Sequence, residues 1–483
     1  MSDVTNFYLE KLLSSKGKNW DEKSIAKFTK EESIIDAISQ ILKLQKNIME
    51  KWEIRTKIID FENKAIIFPN ATQNTTYLFS FNSNFFENNE IQDYLIDGLE
   101  ELGLYYNEET LTVEGVPKNN GNFKIDLKFK VIGESDIDEL HLKQINLVVN
   151  PDPKLLWKDI PSDKDALYWK EENKSSVGIL GERKIVVSSK RGRSHKNVGS
   201  FRDDDYAFKN FQESGWGVVV VSDGAGSAPL SRKGSELACN EVITYFEEVI
   251  LPNDELKSIE NAISIFSETK DEILLEEAKN DVKKTLYKAS LHVHTCINKF
   301  AAKTLEEHPE VFEQKKTNYN AEFFHSTLIF TAFKKTEIGF LILTFGVGDC
   351  PIGIVNKDKT EAKLLNWLDV GEFGGGTRFI TQPEIFHSKE RPMATRFNIH
   401  IQEDFSFLFL MTDGIYDPKF EVEANLEKTK KWLNFINDLE GDNEDDVFLD
   451  FNSDPEVLEK NLNLWMDFWS KGNHDDRTLA IIY

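Results

Sequence analysis

Cysteine, positive charge and long apolar runs are all in short supply in this chain, and each shortage excludes something. The three cysteines, Cys239, Cys296 and Cys350, stand far apart without C-x-x-C spacing. An odd, scattered set indicates neither a disulfide framework nor a zinc site, and it fits a reducing cytoplasm. Lys and Arg total 58 against 83 Asp and Glu, a formal charge of −25. Such a field repels phosphate backbones and anionic lipid, which excludes nucleic acid and membrane from the expected partners. No stretch approaches the roughly 18 uninterrupted apolar residues that a bilayer span requires. The opening MSDVTNFYLEKLLSSKGKNW lacks the apolar centre of a signal peptide, so a soluble, unsecreted, cytoplasmic protein is expected. No solenoid-period repeat is visible.

What is present suffices for several cores: 483 residues, 40% hydrophobic and 12% aromatic, favour two or three domains. Residues 1–60 read as helical, with Ile34, Ile35, Ile38, Ile41, Leu42 and Leu44 forming an apolar stripe. Short alternating runs follow over 61–150, among them TYLFSF, NFKIDLKFKVIG and QINLVVN, and predict a small all-β sandwich. Residues 151–176 are polar and contain prolines, as a linker or a strap would. Residues 177–483 mix helical patterns with nearly continuous apolar strands: GWGVVVVS, STLIFTAF, GFLILTFG, FSFLFLMT and RTLAIIY.

The ends of these strands share a feature. VVVVS runs into Asp223-Gly224, LILTFGV into Gly348-Asp349, LFLMT into Asp413-Gly414, and Asp475-Asp476 precedes RTLAIIY. One Asp-Gly is an ordinary turn, but four carboxylates behind buried strands are another matter. Brought together without basic partners they could not all stay ionised. Divalent cations remove the conflict, and an oxygen-only ligand set suits a hard ion such as Mg²⁺ or Mn²⁺. Two such ions can activate a water and clamp a phosphoryl group for in-line attack.

These motifs resemble, in order, those of the PP2C family of metal-dependent protein serine/threonine phosphatases: DGAGSA at 223–228, GDCPIG at 348–353, TDGIYD at 412–417 and DDRTLAII at 475–482. SHKNVGSFRDDDYAF, from Ser194, is similar to the opening motif of the bacterial subgroup, and GEFGGGTRFIT at 371–381 to its flap-side segment. The resemblance implies an α+β fold for 177–483, an α-β-β-α sandwich of two antiparallel sheets flanked by helices. It implies two Mg²⁺ or Mn²⁺ ions, with Asp223 bridging them and the Gly224 carbonyl on one. Asp413 and Asp475 would complete a shell, with Asp476 as a supporting or alternate ligand, and Asp349 would hold a third, looser ion. In the opening motif one of Asp203, Asp204 and Asp205 should approach the second ion; counting from either end leaves the register open, with Asp204 favoured. About thirty residues of the β region, LYYNEETLTVEGVPKNNGNFKIDLKFKV, resemble bacterial Ig-like or cadherin-like repeats.

The chain departs from the family at two places. Ala225 stands where many eukaryotic members have a histidine able to act as general acid. Counting back from Asp204 to the phosphate-gripping arginine lands on Ser200, leaving His195, Arg193 and Arg202 as substitutes, His195 first. His292 and His294, two apart on a helix, occupy different faces and read as structural, while His474 beside the acidic pair is a candidate supporting residue. The implied activity is hydrolysis of phosphoserine and phosphothreonine proteins, with a cognate serine/threonine kinase or its substrates as partners. The competing readings are a catalytically weak or inactive PP2C-like sensor or scaffold, and a single-metal von Willebrand A-like binding module. Asp223-Gly224-Ala225 lacks the first serine of the latter's motif, and neither VVVVSDGAG nor LFLMTDGIY supplies the D-x-D of a haloacid-dehalogenase site.

Overall fold

The computed structural model describes residues 2–270, 272–313, 319–369, 376–389, 391–470 and 472–483. The chain divides into two compact units, Met1–Leu156 and Trp157–Tyr483.

The first unit begins with helices Ser2–Ser15, Glu22–Phe28 and Glu32–Asn63. Asp21 caps the second, its Oδ1 accepting from the Ser24 N–H at 3.0 Å. Leu9, Ile25 and Ile38 form a small apolar cluster, whereas Ile41 and Leu44 of the expected stripe stay exposed. Further along the third helix, Ile58 and Phe61 join the core of an all-β module. That module pairs a four-stranded sheet (71–72, 141–150, 121–131, 91–97) with a three-stranded one (77–80, 112–115, 104–107). Val113, Ile125, Leu127, Phe129 and Leu147 fill the shared core. One pair, Ala71 with Val149, is parallel. The β character matches the expectation; the arrangement does not identify the module as Ig-like.

The strands of the second unit are β1 (Asn173–Leu180), β2 (Arg183–Lys190), β3 (Asp205–Phe211), β4 (Trp216–Ser222), β5 (Leu328–Thr336), β6 (Gly339–Val347), β7 (Ile352–Asn356), β8 (Ala362–Leu364), β9 (Phe397–Gln402), β10 (Phe405–Met411) and β11 (Arg477–Ile482). They form two antiparallel sheets, in the orders β3-β4-β5-β6-β9 and β8-β7-β10-β11-β2-β1. The longer helices are α1 (Ser231–Tyr245), α2 (Lys257–Thr269), α3 (Glu272–Glu307), α4 (Asp413–Phe420), α5 (Thr429–Leu439) and α6 (Pro455–Trp465), and short ones span Arg193–Val198 and Pro309–Phe312.

Strand periodicity explains why the central strands are apolar on both faces. Val219 and Val221 enter a core between the sheets with Val187, Ile329, Ile342, Leu408, Leu410 and Ala480. Their neighbours Val218 and Val220 face outwards and pack with Val242, Val282 and Val293 of α1 and α3. In the other sheet Phe407, Phe409 and Met411 pack outwards against Trp432, Phe435 and Leu462 of α5 and α6. The layers are therefore helix, sheet, sheet, helix.

The connector expected over 151–176 is not a free spacer. From Trp157 onwards it belongs to the second unit, and β1 already begins at Asn173. The Ile160 N–H donates to the Lys196 carbonyl at 2.9 Å, and Arg191 Nη2 donates to the Ile160 carbonyl at 2.7 Å. The segment is a strap tied to the residues 191–196 that follow β2.

Leu410 is fully buried between the sheets. Leu410→Ala is expected to destabilise the second unit by about 2–5 kcal/mol, whereas the half-exposed Leu464→Ala should change little. Urea unfolding followed by tryptophan emission, which reads the buried Trp216 and Trp432, measures both.

Candidate metal centre

Antiparallel register brings the motif-bearing strand ends to one edge. Val221 pairs with Ile329 and Leu328 with Val347, so the end of β4, the start of β5 and the end of β6 share an edge of the first sheet. In the second sheet Met411 pairs with Leu479 and Arg477 with Lys190, which places the end of β10, the start of β11 and the end of β2 together. Asp204 ties the two edges: its Oδ2 accepts from Thr412 Oγ1 at 2.9 Å and from Thr478 Oγ1 at 2.8 Å.

Asp223 follows β4 directly, and its N–H and C=O are both held by Thr327, at 2.9 Å to Oγ1 and 2.7 Å from the N–H. Gly224 is required by close approach, because a Cβ there would lie 2.5 Å from the Asp203 carbonyl oxygen. Gly414 is tighter still, with a Cβ reaching to 2.0 Å from the Asp476 carbonyl oxygen. Both turns bring backbone against the opposing acidic loop.

Asp223 and Asp413 keep some exposed surface, yet both carboxyls are pushed well above the usual range. Loss of hydration is the largest cause, followed for Asp223 by the charges of Asp204, Asp413, Asp475 and Asp349. For Asp413 the charges are those of Asp475, Asp349, Asp204 and Asp417. Asp204 is raised to about 8 by burial and by Asp476, against its threonine hydrogen bonds. Asp349 is raised by burial while Thr377 Oγ1 donates to its Oδ2 at 2.6 Å. Asp475, more open, is raised by burial and Asp476. The structure thus brings together Asp204, Asp223, Asp349, Asp413 and Asp475 as one mutually repelling set.

Asp476 is held differently. Its carboxylate accepts the N–H groups of Gly192 and Asp203, and His195 Nδ1 lies 3.1 Å from Oδ2. Despite burial, His195 and these bonds hold it below the usual range. His195 Nε2 lies 3.2 Å from Asp475 Oδ1. Burial alone would lower this imidazole, but Asp476, Asp203 and Asp475 hold it up to about 10. It clamps two carboxylates rather than standing free for phosphate.

Besides His195, two more nominated residues have other partners. Asp205 turns away from the set, paired with Lys170 Nζ at 3.1 Å and Lys174 Nζ at 2.6 Å. Burial opposes its charge, but Lys170, Arg202 and Lys174 hold it low. Arg202 is buried, with Nε donating to the Glu171 carbonyl and Nη1 to Ser189 Oγ at 2.8 Å and to the Asp204 carbonyl, so those donors are held by the protein. Arg193 likewise bonds the Asp467 and Phe468 carbonyls. His474 contributes its carbonyl to the Ser194 N–H and Oγ while its ring packs between Trp157 and Trp469. Of the flap-side segment, 371–375 lie outside the described residues, while Thr377 reaches Asp349.

Sequence reasoning missed Lys170, whose Nζ donates to the Asp204 carbonyl at 2.7 Å, the Arg232 carbonyl at 3.0 Å and Ser235 Oγ at 3.3 Å. A lysine in a polar connector carries no signal of that role. The threonines at 412 and 478 lay inside the quoted motifs and could have been read as hydroxyl props for a neighbouring carboxylate. Asp369 was missed too: its Oδ2 accepts the Gly348 N–H at 3.0 Å, and Arg396 and Arg391 pair with its carboxylate, fixing the turn before Asp349.

The donor set suits hard divalent ions. Asp413 Oδ1 is buried without a hydrogen-bond partner among the described residues, a cost that a cation would remove. Cys350 adds one soft atom, its Sγ grouped with oxygens of Asp223 and Asp349 within 4.8 Å.

Residues 191–449 match the sequence profile described as protein phosphatase 2C. The chain belongs to the protein phosphatase 2C family. That match stops before Asp475 and β11, which the fold places at the same edge as Asp413. Among solved structures, a bacterial serine phosphatase is 15% identical, with 62% of this chain and 96% of that one covered at a TM-score of 0.33. The serine/threonine phosphatase Stp1 from Staphylococcus aureus is 13% identical over 65% and 98%, TM-score 0.32. The catalytic domain of the serine threonine protein phosphatase PstP in complex with two manganese ions is 15% identical over 62% and 97%, TM-score 0.31. No curated protein sequence matches. Among the described residues no helix is long and apolar enough to cross a membrane.

In this family member Thr478 supports a carboxylate nominated for metal binding. Thr478→Val is expected to weaken Mn²⁺ binding by about 10–100-fold, as read by isothermal titration calorimetry, with the far-UV circular dichroism unchanged.

Proposed function

We propose that this chain is a metal-dependent protein phosphatase that hydrolyses phosphoserine and phosphothreonine. The observation that carries the reading is the convergence of Asp204, Asp223, Asp413 and Asp475, each with its carboxyl raised by burial and by its neighbours. Family membership supplies the reaction class. Asp223, Asp413, Asp475 and the Gly224 carbonyl would hold two Mg²⁺ or Mn²⁺ ions with Asp204, and Asp349 would hold a third. Bound there, such ions lower the pKa of a shared water and offset the charge of a phosphoryl group.

The chain's own residues prepare that site. Thr412 and Thr478 aim the Asp204 carboxylate. His195 spans Asp475 and Asp476 and fixes their spacing. Ala225 offers no proton, so the leaving serine or threonine oxygen takes one from water rather than from a side chain at that turn. No covalent phosphoenzyme is involved.

One observation favours a second reading, the weakly active or inactive sensor: Arg202, nominated to grip phosphate, is locked among backbone carbonyls. Family membership and the two-sheet architecture set aside the von Willebrand A-like module. The preceding helices and β module would select the phosphoprotein, a serine/threonine kinase or its substrate, by family analogy.

Hydrolysis of a phosphothreonine peptide by the full chain decides between these readings. Turnover is expected with Mn²⁺ or Mg²⁺ and lost with chelator. Asp223→Asn and Asp413→Asn should each lower it by at least ~100-fold, since outer-shell changes alone cost about 10–100-fold. Wild-type protein that binds Mn²⁺ without turnover would establish the sensor instead.

A further inference from the structure

Away from the carboxylate edge, the helices behind the first sheet carry a second group of metal-ligating side chains. His292 and Cys296 are four apart on α3 and therefore share a face, one turn above the other. The neighbouring α1 presents Glu241 to them. Glu241 Oε2 lies 3.0 Å from His292 Nε2, and Cys296 Sγ lies 3.4 Å from the same nitrogen. One ligand atom from each residue falls within 4.8 Å of the others.

The geometry points to a Zn²⁺-class site with three protein ligands, His292 Nε2, Cys296 Sγ and a Glu241 carboxylate oxygen, joining α1 to α3. Zinc takes nitrogen and oxygen at about 2.0 Å and sulfur at about 2.3 Å in a tetrahedron, so its ligand atoms sit about 3.3–3.5 Å apart. The two separations to His292 Nε2, 3.0 and 3.4 Å, are close to those edges, and the third lies within 4.8 Å. The donor set is also selective. Thiolate with imidazole suits a borderline ion, in contrast to the oxygen-rich edge that suits Mg²⁺ or Mn²⁺.

The surroundings agree. The Tyr245 ring packs 4.8 Å from the His292 ring and restricts its orientation. His292 and Glu241 keep 32% and 26% of their side-chain surface exposed, which gives an ion a way in and leaves the fourth position to water. Without a cation the arrangement is internally opposed: burial and Glu241 push the Cys296 thiol up to about 11. A divalent ion between them reverses that conflict, and the thiol proton passes to solvent as the metal–sulfur bond forms. The lone-cysteine spacing gave no sign of this site because its third ligand comes from another helix.

Titrating the full chain with Co²⁺, an optically active stand-in for zinc, tests the proposal. One equivalent is expected to produce a thiolate-to-cobalt absorption band that Zn²⁺ displaces. The band should persist in Asp223→Asn and in Cys350→Ser, which touch only the carboxylate edge, and vanish in Cys296→Ser and His292→Gln. Cys296 is only partly buried, and circular dichroism checks that both variants are folded. Absence of the band in the wild type, its survival in Cys296→Ser, or its loss in Cys350→Ser overturns the proposal, whatever the phosphatase activity proves to be.

Discussion

Mutual repulsion among carboxylates at one sheet edge is the constraint on which the second unit depends. Asp204, Asp223 and Asp413 are partly or wholly removed from water without a basic partner among them, and each is raised by burial and by neighbouring carboxylates. A fold tolerates this arrangement only if strong scaffolding holds the groups in place. Here that scaffolding is two sheets whose central strands are buried on both faces, so the strand ends cannot drift apart without opening three apolar cores.

A ring of neutral or paired groups surrounds the repelling set. Thr412 and Thr478 donate to Asp204, Thr327 holds the backbone at Asp223, and Thr377 donates to Asp349. The lysines and arginine in reach are directed elsewhere, Lys170 and Lys174 neutralising Asp205 and Arg202 binding carbonyls, while His195 touches the set only at Asp475, which it shares with Asp476. Had one of those lysines faced Asp223, it would have satisfied the carboxylate and left no place for the ion proposed there. The separation of the basic from the acidic side chains is what keeps the edge available to ions.

Much of this was legible in the sequence, and the limits have physical causes. Long apolar strands ending in Asp-Gly declared themselves because burial on both faces and a turn are both local properties. The choice among Asp203, Asp204 and Asp205 was not local. What bears on it are the cross-sheet hydroxyls of Thr412 and Thr478 on Asp204 and the two lysines that draw Asp205 away. The engagement of Arg202 depends on carbonyls that meet it only after folding. The connector read as a linker because strap and spacer share a polar composition; its packing is visible only through partners such as Lys196 and Arg191. In the first unit, helical periodicity located the helices but not which apolar residues they bury.

Consider again Val218–Val221 in β4. Four identical side chains in succession fit their neighbouring strands equally well if shifted by a residue or two, so they carry no information about alignment. Alignment must come from the ends of the strand. At one end Trp216 is fully enclosed and bonded through Nε1 to Glu260; at the other, Asp223 exchanges two hydrogen bonds with Thr327. The aspartate proposed to bridge the ions is thus also the peg that sets how the sheet zips together. Folding and chemistry draw on the same residue, and the backbone half of its duty would survive even where its carboxylate is replaced.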